Sequence, residues 1–189
     1  MTAWVSGVSV DDTPLQPHEG VIVALGANLG DPVEAMAQAR AAMAGWPEVA
    51  ELRSSRLYRT APFEASGPDF FNAAVRLVVK DGPHALSPSS LLERLQAIEL
   101  AHGRERPYVN APRTLDLDIL FCGMRRWDTP RLTLPHPRLH ERAFAVFPLL
   151  DLWPDANLPQ GLPLAGLAFA AGHRRRHAAT GGQALDVAH

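Results

Sequence analysis

The run Val21-Ile22-Val23-Ala24-Leu25 constrains the fold most, because it is apolar at every position and stops at Gly26-Ala27-Asn28-Leu29-Gly30. A short run without polar alternation suits a strand covered on both faces. Two glycines bracketing an asparagine read as a turn. A helix should start next: Asp31 can cap it, Pro32 suits its first position, and Glu34 stands where a capping box takes an acid. The alanine-rich stretch to Ala44 favours helix, and Gly45-Trp46-Pro47 ends it.

The rest of the chain alternates in the same manner. Residues 51–59 and 70–79 read as two strands joined by the loop Thr60 to Asp69. Ser87 or Ser89 begins a second helix, with Leu91, Leu92, Leu95 and Ile98 spaced for one buried face and an end near Gly103. Thr114 to Phe121 is a strand, followed by a short strand at Leu132 to Leu134, a helix around Arg138 to Leu150, and a short helix at Leu164 to Ala170. The order βαββαβ, with both long helices able to cover one face, predicts an α+β sandwich of the ferredoxin-like type with a mostly antiparallel sheet. Residues 1–20 carry Asp11, Asp12, Pro14 and Pro17 without a period and read as a loose leader; 21–170 form a single catalytic domain, and 171–189 a disordered tail.

Bulk properties narrow the partners. At 189 residues one domain can bury about 70% of its unfolded surface. The formal net charge of −2 offers no global pull toward nucleic acid or an anionic membrane, so any phosphate binding must come from a local arginine cluster. A lone cysteine, Cys122 in an apolar run, excludes disulfides within the chain and cysteine-based zinc sites. No stretch approaches the roughly 18 apolar residues of a membrane helix, and no export signal is visible. These features predict a cytoplasmic monomer acting on small molecules.

The segment Arg113-Thr114-Leu115-Asp116-Leu117-Asp118-Ile119-Leu120 carries the most chemistry. On a strand Asp116 and Asp118 share a face about 6.7 Å apart, with Leu115, Leu117 and Ile119 opposite. Neighbouring carboxylates repel unless a cation sits between them, and a hard cation such as Mg²⁺ suits oxygen ligands. A solvent-facing acidic pair is the plain alternative. Arg104, Arg106 and Arg113 just before the strand could clamp phosphate, or could simply pair with Glu99, Glu105 and the two aspartates. No G-x-x-x-x-G-K-[ST] loop exists, so any ATP site lies outside the P-loop architecture. Phe70 and Asn72 share a strand face that suits a flat heterocycle, or else a core aromatic beside a bonded amide. His136, within Leu134-Pro135-His136-Pro137, stands with Arg142 near one end of the sheet, and spacing leaves its role open.

Together these segments resemble the 6-hydroxymethyl-7,8-dihydropterin pyrophosphokinases of folate biosynthesis. The resemblance runs from about Val21 to Phe169. It rests on Gly26-Ala27-Asn28-Leu29-Gly30, Ser55-Arg56-Leu57-Tyr58-Arg59-Thr60, Phe70-Phe71-Asn72-Ala73-Ala74, Pro112 to Asp118, and Leu134-Pro135-His136-Pro137. It implies transfer of pyrophosphate from ATP to the pterin's hydroxymethyl oxygen, with release of AMP. Two Mg²⁺ ions would sit on Asp116 and Asp118, with Arg104 and Arg113 as catalytic cations. Gln96, Glu99, Arg104, Arg106, Arg113, Thr133, His136 and Arg142 would form the ATP side. Thr60, Phe63, Phe70, Asn72 and Phe144 would hold the pterin. Loops around 27–31, 62–68 and 103–112 would close over the substrates. Ala27, Ala61 and Asn110 depart from the common pattern, where Ser, Pro and an aromatic are frequent. A metal-dependent nucleotidyltransferase or phosphodiesterase would use similar acids and arginines, and a non-catalytic nucleotide-binding module is the third reading.

Overall fold

A computed structural model describes residues 12–61, 67–82, 86–103, 114–159 and 163–166. Strand β1 (Val21–Ala27) leads into helix α1 (Pro32–Ala44), then β2 (Val49–Ser54), β3 (Tyr58–Thr60) and β4 (Phe70–Val79). Helix α2 (Pro88–Ala101), β5 (Asp116–Cys122), a hairpin of β6 (Trp127–Asp128) and β7 (Thr133–Leu134), a 3-10 turn (Leu139–Glu141) and helix α3 (Ala143–Leu152) complete the order. The sheet runs β2-β4-β1-β5, with β3 also on β4, and these pairings are antiparallel. Counting β2 and β3 as one interrupted strand, the spatial order is second, third, first, fourth. This is the α+β arrangement that the alternation of elements predicts.

Strand β1 separates two apolar cores. Val21, Val23, Leu25 and Ala27 point to one side, where Met36, Ala39 and Met43 of α1 and Leu91, Leu95 and Ile98 of α2 cover them. Ile22 points to the other side and meets Leu139, Val146 and Leu149 from the 3-10 turn and α3. An all-apolar β1 is the consequence of cover on both faces. Opposite Ile22 the register of β5 shifts, leaving Leu120 as an extra residue, and both Leu120 and Phe121 reach the α3 side.

Both long helices start where their caps predict. The Asp31 side chain accepts the Glu34 N–H, and Ser87 and Ser90 form a reciprocal capping box with Pro88 in the first turn. Other expectations need correcting. The strand read over 51–59 breaks at Ser55, whose buried hydroxyl accepts the Ala74 N–H at 2.8 Å and donates to the Arg56 carbonyl at 2.7 Å. The helix read over 138–150 is a 3-10 turn and then α3, separated by Arg142 at φ −108° and ψ 76°. The fourth long strand starts at Asp116 instead of Thr114, and β1 runs through Gly26. The expected helix at 164–170 is helical over Leu164–Gly166; its remainder lies outside the described residues.

The loose leader expected over 1–20 is, from Asp12 onward, fastened to the domain. Leu15 is 1% exposed within the α1/α2 core, and its N–H donates to the Leu86 carbonyl at 2.7 Å. Arg125 donates to both Glu19 oxygens and to the carbonyls of Thr13 and Pro14.

Candidate active site

Helix α3 covers only part of its sheet face, and the uncovered part is the floor of a cleft. Alternation along three strands brings Asn72 of β4, Ala24 and Gly26 of β1, and Asp116 and Asp118 of β5 to that face. Gly26 stands between Asn72 and Asp116 in the register, and Ala24 between Ala74 and Asp118. An amide column and a carboxylate column therefore flank a central column with almost no side chain. A Cβ on Gly26 would lie 3.5 Å from Asn72 Oδ1. The cleft encloses about 920 Å³ of empty space, open solvent at its mouth included.

One wall is aromatic. Phe70 and Phe144 both line the cleft, beside Thr60 and Ala61. Asn72 is 5% exposed, and its amide donates to Thr60 Oγ1 at 2.9 Å. That bond directs the Asn72 side chain along the floor. Phe71, Ala73 and Val75 face the other core, as the alternation predicts.

The other wall is charged. Arg142 donates from Nη1 to Asp118 Oδ2 at 3.0 Å and lies 3.5 Å from His136 Nε2. His136 Nδ1 accepts the Arg138 N–H at 3.2 Å, and the His136 N–H donates to the Leu120 carbonyl. Burial pushes the imidazole below its ordinary value. Asp118 and Asp116 pull it up, and Arg142 and Arg138 push it further down. His136 is thus held neutral near pH 7. Arg138 also lines the cleft, with its Nε on Glu141 at 2.8 Å.

Helix α2 steadies the acidic strand from behind. Glu99 is 1% exposed, and its Oε1 accepts the Leu117 N–H at 2.7 Å, between the two aspartates. Thr114 Oγ1 donates to the His102 carbonyl at 2.6 Å, tying the entry of β5 to the end of α2. Glu99, Gln96 and Thr133 do not line the cleft: Gln96 is exposed on α2, and Thr133 donates to Asp128 in the β6–β7 hairpin. Phe63, Arg104, Arg106, Arg113 and Asn110 lie outside the described residues. Arg138, Ala24 and Gly26 escaped the sequence reading. The available signal was Arg138 standing four residues before Arg142, and a glycine ending an apolar strand.

Among the described residues no set of three His, Cys, Asp or Glu side chains forms a protein-only metal cage. A cation that keeps water and phosphate ligands needs only one or two carboxylates, so the Asp116–Asp118 pair fits Mg²⁺.

Paired carboxylates, an arginine and an aromatic slot on one open sheet face define a phosphate-handling transferase of the α+β class. The description "7,8-dihydro-6-hydroxymethylpterin-pyrophosphokinase (HPPK)" matches residues 22–154. The chain belongs to this family. It is 44% identical over 151 residues to the 2-amino-4-hydroxy-6-hydroxymethyldihydropteridine pyrophosphokinase of Pseudomonas aeruginosa, covering 79% of this chain and 90% of that one. The enzyme of the same name from Synechocystis sp. is 40% identical, covering 78% and 73%. A mitochondrial folate synthesis bifunctional protein of Arabidopsis thaliana is 43% identical over 136 residues, 23% of its length. Among solved structures, Plasmodium falciparum HPPK-DHPS shares the fold at a TM-score of 0.60 and 14% identity. That match covers 82% of this chain and 45% of the Plasmodium chain, so this chain spans less than half of it.

Proposed function

We propose that the chain transfers pyrophosphate from ATP to the hydroxymethyl oxygen of 6-hydroxymethyl-7,8-dihydropterin, giving AMP and the pterin diphosphate in folate biosynthesis. The observation that carries this reading is the register that sets Asn72 and Asp116 on either side of Gly26, beneath Phe70 and Phe144. The pterin ring stacks between the two aromatics, and Asn72, oriented by Thr60, reads its edge. The ring's exocyclic hydroxyl then points across the bare Gly26–Ala24 column toward the carboxylates.

Asp116 and Asp118 hold Mg²⁺, two ions in our reading, which neutralises charge on the phosphate oxygens when bound. Arg142, fixed on Asp118, offers its remaining N–H donors to the same oxygens. With Nδ1 accepting from Arg138, neutral His136 carries its proton on Nε2 and can donate one hydrogen bond there without adding charge. Arg104, Arg106 and Arg113 are assigned to the phosphates, with Arg104 and Arg113 as catalytic cations. Gln96 and Thr133 are assigned to the ATP side, with Phe63 on the pterin side. Glu99 is assigned to the ATP side through its hold on β5. Catalysis by such a site is mostly positioning and charge neutralisation.

No helix among the described residues is long and apolar enough to cross a membrane. The cytoplasmic monomer is part of this proposed reading; the thiol of Cys122 is buried, and burial pushes it up to about 12 and so keeps it unreactive.

Incubation with MgATP and the hydroxymethyl dihydropterin should produce AMP in step with pterin diphosphate. Release of inorganic pyrophosphate instead would favour the nucleotidyltransferase reading. Asp116→Asn and Asp118→Asn should each lower kcat by roughly a hundredfold or more while the circular dichroism spectrum stays the same. Near-normal turnover in either variant would remove the metal assignment.

A further inference from the structure

We infer that Asp151, two turns along α3 from the cleft-lining Phe144, is a positioning residue that sets the gap between Phe144 and Phe70 and so tunes affinity for the flat substrate. The inference rests on the assignment of the Phe70–Phe144 slot to the pterin.

Phe144, Phe147 and Asp151 recur at i, i+3 and i+7, so they form one stripe along α3. Phe144 lines the cleft. One turn on, Phe147 stacks on Tyr58 with ring centroids 6.2 Å apart and planes at 21°. Another turn on, the Asp151 carboxylate accepts from the Arg56 backbone N–H at 3.1 Å, Arg56 Nη2 at 2.7 Å, Arg56 Nε at 3.1 Å and the Tyr58 hydroxyl at 2.8 Å. Arg56 also donates to the Tyr58 oxygen at 2.9 Å. One carboxylate thus gathers the backbone and both side chains at the start of β3.

β3 carries this hold into the cleft. Tyr58 and Thr60 are two apart on one short strand, with Tyr58 opposite Asn72 and Thr60 opposite Phe70. Thr60 lines the cleft and accepts the Asn72 amide. The two sides of the slot therefore belong to β3–β4 and to α3, and Asp151 is the polar tie between them. The apolar cover beneath α3 packs the helix onto the sheet, and a restraint on its setting against β3 needs contacts at β3 itself. Directional bonds to a charged acceptor supply that restraint. As a surface ion pair alone Arg56–Asp151 would contribute little, since Arg56 is 60% exposed. Burial raises the Asp151 carboxyl, but the bonds from Arg56 and Tyr58 outweigh it and hold it below its ordinary value. Burial and Asp151 push the Tyr58 hydroxyl up to about 12. Acceptor and donor therefore keep their roles at neutral pH.

The test is steady-state kinetics of Asp151→Asn and Tyr58→Phe with MgATP and the hydroxymethyl dihydropterin. Each should raise the pterin KM by roughly three- to thirtyfold and leave the ATP KM within about twofold. A purely structural role would lower Tm while leaving both KM values alone, and that result overturns the inference. So does a parallel rise in both. If Asp151→Asn does not fold, Tyr58→Phe, which loses one hydroxyl, decides alone. Phe70→Ala separates the two layers. Unchanged pterin affinity there removes the pterin assignment and this inference with it, whereas a weakened Phe70→Ala beside a normal Asp151→Asn overturns the inference only.

Discussion

Gly26 serves the cleft by lacking a side chain. It sits inside β1 with Asn72 on one flank and Asp116 on the other, and a methyl group there meets Asn72 Oδ1 at an ordinary 3.5 Å. Gly26→Ala should therefore fold and keep measurable turnover. Gly26→Val would stand branched atoms on the column that the proposed function has the two substrates cross, lowering kcat/KM by roughly a hundredfold with little change in Tm. Wild-type kinetics in Gly26→Val would mean that the reacting groups do not cross this column. The glycine is also where residue-level reading misleads, because glycine before Asn28 carries the signature of a turn while it stands inside β1, between Asn72 and Asp116. Asp116 with Asp118, and Phe70 with Asn72, are legible because period-2 alternation needs nothing beyond a strand. Arg138 and Arg142 are not, since their aim depends on how α3 begins. At this scale Arg142→Ala should cost more in ATP KM than in pterin KM, as it removes donors beside Asp118 while leaving the aromatic slot intact.

The elements follow the same division between local signals and distant ones. Helices α1 and α2 are legible almost to the residue, because Asp31–Pro32 and Ser87–Pro88 announce them within one turn. The break between β2 and β3 is not. No glycine or proline occupies 55–57, and Ser55 interrupts the strand by taking a bond from Ala74, nineteen positions away. Ser55→Ala leaves that buried N–H without its acceptor and should cost about 1–3 kcal/mol, measurable as a shift of the urea midpoint at constant slope. The break lets β3 pair with Phe70–Asn72, so pterin affinity should fall alongside stability. A stable Ser55→Ala with normal kinetics would show that the bond is incidental. Glu99 is the corresponding tie for β5. The family resemblance places it beside ATP, whereas its geometry holds the peptide between the two aspartates.

Across the whole molecule the sheet separates two cores, and the segment from Asp12 to Gly20 braces the α1/α2 side from outside the family match, which begins at residue 22. Prolines and acids without a period gave no hint of this, since a single buried leucine makes no pattern. Leu15→Ala should cost about 2–5 kcal/mol as a core truncation. For a chain of this size that is a Tm drop of roughly 4–20 °C. An unchanged Tm would return the segment to a leader. Its acids make the brace sensitive to pH. Burial raises the carboxyls of Asp12 and Glu19, but hydrogen bonds from Ser89 and Ser87 on Asp12, and from Arg125 and Gln16 on Glu19, outweigh it and leave both below their ordinary values. A carboxyl depressed in the folded state adds stability above its unfolded pKa and loses it as pH falls through the folded one. The stability that these two carboxylates add should therefore be level above about pH 5 and fall below it. In Asp12→Asn the fall should be shallower, because one titrating tie is gone, and in Leu15→Ala it should keep its slope from a lower start. Equal acid slopes in wild type and Asp12→Asn, read from chemical denaturation at stepped pH, would mean that Asp12 does not couple the brace to α2.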